Sequence, residues 1–97
     1  PTNPILEISK NFDVNKKVII LELDPLGILA KKNKIDNNLS AYDISQGEKY
    51  SKVVTIIEER IFLLPGNINL TKLEDGAIEK IISYLKEKFD YILITTP

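Results

Sequence analysis

Three short apolar runs, each closed by turn-forming residues or by proline, alternate along this chain with stretches whose apolar positions recur at helical spacing. The first run, Lys17-Val-Ile-Ile-Leu-Glu-Leu23, carries almost no polar interruption and ends in Asp24-Pro25-Leu26-Gly27. Such a run predicts a strand buried on both faces, as in parallel sheets. Pro25 cannot continue a hydrogen-bonded ladder, and Gly27 permits a tight backbone turn. The second run, Arg60-Ile-Phe-Leu-Leu64, stops at Pro65-Gly66, and the third spans Asp90 to Thr96. Strands are therefore predicted at about 17–23, 60–64 and 90–96.

The intervening segments read as helices. Ile5, Leu6, Ile8 and Phe12 fit one helical face over 4–12, and Pro4 is tolerated in a first turn. Residues 25–39 read as an irregular loop with one helical turn at 28–32. Ser40 is a candidate N-cap for helical structure over 40–58, in two short pieces divided near Gly47. Thr71-Lys-Leu-Glu74 has the spacing of a capping box and predicts the longest helix, 71–89. Ala77, Ile78, Ile81, Ile82, Leu85 and Phe89 form its apolar face. This alternation predicts a single α/β domain over 1–97, with a parallel sheet and right-handed crossovers. Asp24 then lies at the carboxyl end of a central strand, where open α/β sheets place their ligand crevice.

Composition narrows the chemistry. The formal charge is −1, from 13 basic and 14 acidic residues, so no strong field draws in nucleic acid or an anionic membrane. Lys31, Lys32 and Lys34 form the one basic cluster, which reads as a solvated loop. The four tyrosines are scattered and offer no stacking platform for bases. The chain has no cysteine and no histidine, which excludes disulfides, zinc–thiolate sites, His-ligated metals and Ser-His-Asp or Cys-His catalysis. No apolar stretch approaches the roughly 20 residues of a membrane span, and a cytoplasmic setting is expected. The richness in Ile, Lys and Asn reads as a nucleotide-composition bias.

Taken in order, these segments resemble the ParA/MinD family of deviant Walker-A P-loop ATPases. Lys16 to Gly27 is similar to the family's KKVLLIDLDPQG segment, and Arg60 to Leu70 to its LDLLPANIDL segment. Tyr91-Ile-Leu-Ile-Thr-Thr-Pro97 resembles the Walker B strand YIIIDTPP, and Leu39 to Glu48 the helix NLSDVLLGE. The resemblance implies a partial P-loop NTPase fold in three layers, with ATP and Mg²⁺ as ligands. It also implies ATP-driven dimerisation that positions cellular cargo, so self-association or docking within a larger positioning complex is expected. Ile5 to Phe12 would match the rear of the helix after the phosphate loop. The sequence given holds no Gly-Lys-Thr/Ser motif.

Two departures from the family pattern bear on function. Thr95 stands where the family has the aspartate that helps hold hydrated Mg²⁺, and Leu26 stands where it has glutamine. Glu22 matches the first acid of the family's DxD and Asp24 the second, which the family keeps near the attacking water. The resemblance thus makes Asp24 a candidate catalytic residue, and Glu22, Asp24 and Thr95 candidate cofactor-binding residues; no metal ligand set is assigned.

Simpler readings stand beside these. Asp24-Pro25 is a common turn at a strand end, Glu22 is expected to reach solvent there, and Thr95 and Thr96 lack a base and read as structural. Pro65-Gly66-Asn67 reads as a strand-to-helix turn rather than an adenine contact. The leading expectation is a degenerate positioning or assembly module, of the partition or pilus-assembly type, that does not hydrolyse ATP. The alternatives are a piece of an active partitioning ATPase and a receiver-like interaction domain with Asp24 as its marker. The first two require residues 17–24, 60–65 and 90–96 to run side by side in one direction and bring Asp24 and Thr95 to one rim.

Overall fold

The computed structural model describes residues 15–97, and the helix predicted at 4–12 lies outside them. Strand β1 (Val18–Glu22) is buried along its whole length. A one-turn helix α1 (Ile28–Lys32) follows, and then the short helices α2 (Ala41–Ser45) and α3 (Tyr50–Val53). Strands β2 (Thr55–Glu58) and β3 (Ile61–Leu64) form a hairpin. A 3-10 turn over Ile68–Lys72 leads to the long helix α4 (Ala77–Lys88), and β4 (Tyr91–Thr95) closes the sheet.

The sheet order is β2-β3-β1-β4. β1 runs parallel to β3, with Val18 opposite Ile61 and Leu21 opposite Leu64, and parallel to β4, with Val18 opposite Tyr91 and Glu22 opposite Thr95. The expected three-strand parallel arrangement is therefore present, with β1 central. Alternation along β1 divides its side chains between two cores. Ile19 and Leu21 pack with Ala41, Ile44, Leu64, Ile81 and Leu85 under α2 and α4. Ile20 packs with Leu29, Ala30, Ile61 and Leu63 under α1. Helices on both faces explain why the β1 run needs no polar alternation.

Two expectations are corrected. The helical structure expected over 40–58 does form two pieces, but the second ends at Val53, and 55–58 is a fourth strand, antiparallel to β3 with Ile56 opposite Phe62. Gly47, at φ 101°, separates α2 from α3. Val53-Val54-Thr55-Ile56-Ile57 is a β-branched run that favours the pleated state. The hairpin closes through Arg60, whose φ of 64° is a left-handed conformation costly for a side-chain-bearing residue. Helix 71–89 begins later than predicted, at Ala77. Gly76, at φ 85°, breaks the run before it, and Thr71 donates to the Ile68 carbonyl within the 3-10 turn at 2.8 Å instead of capping a helix. The Ser40 cap is formed: its Oγ accepts from Tyr42 N–H at 3.2 Å, and Asp43 Oδ2 accepts from Ser40 N–H at 2.8 Å.

On the α4 side, Tyr50 stacks on Tyr84 with ring centroids 3.9 Å apart, and Phe62 meets Phe89 edge-on at 5.1 Å. Burial, and then the neighbouring Tyr84 phenol, push the Tyr50 pKa above 10.0. The folded state thus holds the neutral phenol more firmly than the unfolded chain does. This contribution is complete below pH 10.0 and is lost as pH rises through the folded pKa. Tyr84→Phe should lower the Tyr50 pKa, as read by phenolate absorbance in an alkaline titration. Leu63 is fully buried, so Leu63→Ala should cost about 2–5 kcal/mol in chemical denaturation.

Candidate functional site

Because β1, β3 and β4 run the same way, their carboxyl ends gather on one rim. Glu22 ends β1 opposite Thr95, and Leu23 N–H donates to the Thr95 carbonyl at 2.9 Å. Asp24 and Thr95 line one cavity of about 250 Å³ together with Glu22, Leu29 and Lys32. The predicted meeting of Asp24 and Thr95 at one rim is thus met in space, with Glu22 beside them.

Glu22 does not reach solvent. It is 1% exposed, and its carboxylate turns inward between two loops. Oε2 accepts from Leu29 N–H at 2.6 Å, and Oε1 accepts from Gly66 N–H at 2.9 Å. The expectation of a solvated end failed because β4 covers this position of β1 on one side while the turn after β3 closes over it. Gly66 is required there: a Cβ would lie 2.4 Å from the Asp24 carbonyl oxygen and 2.8 Å from that of Glu22.

Asp24 is buried as well, and its side chain organises the turn that follows. Oδ1 accepts from Leu26 N–H at 3.0 Å, with a longer contact from Ile28 N–H to Oδ2 at 3.4 Å. Gly27, at φ 61°, completes the turn by donating its N–H to the Asp24 carbonyl at 2.9 Å. Thr95 differs from both acids. Its Oγ1 is buried and has no hydrogen-bond partner among the described residues.

Pro65-Gly66-Asn67 forms the expected turn, but with ties that sequence reasoning missed. Asn67 Oδ1 accepts from Asn69 N–H at 3.0 Å, while its Nδ2 donates to the carbonyls of Asn37 and Asn38 at 2.8 and 3.2 Å. Asn37 Nδ2 donates in turn to the Gly66 carbonyl at 2.8 Å. The signal was the asparagine content of 33–38, which reads as compositional bias until the fold brings it beside the rim. Lys32 was expected in a solvated loop; it is exposed, yet it borders the cavity because α1 begins directly after the Asp24 turn.

Mg²⁺ favours hard anionic oxygens in near-octahedral array. The rim offers two carboxylates already accepting backbone N–H bonds and one neutral hydroxyl, and among the described residues no cluster of three or more acids, histidines or cysteines could hold a metal. This set fits Mg²⁺ poorly. An unpaired buried hydroxyl costs about 1–3 kcal/mol, so Thr95→Val, which keeps the shape and removes the hydroxyl, should raise stability by about 1 kcal/mol in denaturant unfolding.

No family model matches the chain. The chromosome-partitioning ATPase Soj of Treponema pallidum (strain Nichols) is 27% identical over 93 residues, covering 84% of this chain and 37% of that protein. The septum site-determining protein MinD of Pyrococcus horikoshii OT3, solved with Mg-ADP, superposes with a TM-score of 0.70 at 24% identity over 87% of this chain and 37% of its own. Cobyrinic acid a,c-diamide synthase of Mycobacterium smegmatis, solved with ADP and magnesium, gives 0.67 at 25% identity over 82% of this chain and 38% of its own. The chain spans less than two fifths of the length of each. In sequence this chain is thus similar to part of the Soj partitioning ATPase, and in fold to part of MinD and of cobyrinic acid a,c-diamide synthase.

Proposed function

We propose that this chain carries the carboxyl rim of a cytoplasmic ParA/MinD-type positioning or assembly protein, of the partition or pilus-assembly type, which works by self-association without hydrolysing ATP. The observation that carries this reading is the state of the rim. Thr95, at the position of the family's metal-binding acid, holds a neutral hydroxyl unpaired among the described residues, while Glu22 and Asp24 direct their oxygens to backbone amides. These acids stabilise loops, so their charge is not aimed at a metal or a water in the cavity. No helix among the described residues is long and apolar enough to cross a membrane.

The second reading is an active partitioning ATPase, in which Asp24 leaves its turn to approach the attacking water when nucleotide binds. The likeness to Soj, and to MinD solved with Mg-ADP, favours it. ATP turnover and Mg²⁺-dependent ATP binding by the full-length protein separate the two. The degenerate reading expects no hydrolysis above the buffer rate, and Mg²⁺-ATP affinity that rises about tenfold in Thr95→Asp, which restores a hard anionic oxygen. Hydrolysis by the unaltered protein that is abolished in Asp24→Ala would establish the active enzyme instead.

A further inference from the structure

Glu22 has a consequence that does not depend on whether the rim turns over ATP. We infer that its carboxylate is a clamp joining the Pro25–Leu29 loop and the Gly66–Asn67 turn, so that the two move as one unit. The two amides it holds belong to segments 44 and 7 residues away along the chain. Among the described residues no cation is ion-paired with it. A buried carboxylate must be compensated by the groups it touches, and here that compensation is divided between the loops. Withdrawal of either loop leaves the charge with a single donor and so weakens the seat of the other.

Side-chain length matters to this clamp. Glutamate spans from the end of β1 to both amides, and an aspartate, shorter by one methylene, could not reach both from the same backbone. Further ties lock the same unit. Asn37 Nδ2 holds the Gly66 carbonyl and Asn67 Nδ2 holds the Asn37 carbonyl. A Cβ on Gly27 would lie 2.4 Å from the Gly66 carbonyl oxygen, so the loops also touch without a gap. The described ties therefore form a circuit through Glu22, Gly66, Asn37 and Asn67, with Gly27 packed against it.

Amide hydrogen exchange in the full-length protein, without nucleotide, tests the clamp residue by residue. Glu22→Asp should accelerate exchange at Leu29 and Gly66 together, by about tenfold, while Ile81 and Leu85 in α4 keep their rates. Asn37→Ala makes no change in any hydrogen bond of Leu29, yet should speed exchange there by about threefold through the circuit. Acceleration at only one of the two clamped amides in Glu22→Asp would overturn the inference. So would an unchanged Leu29 in Asn37→Ala, or an equal rise at Ile81 and Leu85, which would mean that the loops open only with the whole domain. Because no ATP is present, failure here leaves the proposed function standing, and measured ATP hydrolysis would leave the clamp standing.

Discussion

The arrangement of the rim depends on one buried negative charge. Glu22 lies at the end of a strand with neighbours on both sides, 1% exposed and with no ion-paired cation among the described residues. A carboxylate is tolerated there because each of its oxygens accepts from a backbone amide. The approach of Gly66 in turn requires a residue without a side chain, and it brings the turn after β3 against the Asp24 segment. Closure of the two segments over the rim thus follows from the same contact.

That contact also decides what the rim can do chemically. An acid whose oxygens accept backbone N–H bonds is held in place, and its remaining capacity for a cation is reduced. Asp24 shows the same behaviour on a smaller scale, since it nucleates its own turn. Thr95 is the exception, with a buried hydroxyl that has no partner among the described residues. In a stable core such an atom is rare, and it sits directly opposite Glu22 in the β1–β4 register.

Much of this was legible in the sequence, and the parts that were not share a physical cause. β1 and β3 were readable because strands covered on both faces carry continuous apolar runs closed by Pro, Gly or Asp, a local signal, and β4 carries such a run although it is half-exposed at the end of the sheet. The meeting of Asp24 and Thr95 followed once the strands were taken as parallel. β2 was misread because the helical reading of the segment after Gly47 was carried past Val53 to 58; pairing with β3, a tertiary contact, selects the strand. The start of α4 was misread because Thr71 and Glu74 have the right spacing for a cap, while Gly76 sets the true boundary. The seat of Glu22 could not be read at all, since it depends on an amide 44 residues away.

The exclusion of any Cβ at Gly66 reaches beyond the folded molecule to the gene. Ile, Lys and Asn, which this chain favours, are encoded by triplets dominated by adenine and thymine, whereas every glycine triplet begins with two guanines. A genome drifting away from guanine would erode such a triplet first. At Gly66 each single-base change in those two guanines introduces a side chain, or a stop, where the Asp24 and Glu22 carbonyl oxygens leave no room. Steric exclusion at one turn therefore opposes base-composition pressure, codon by codon.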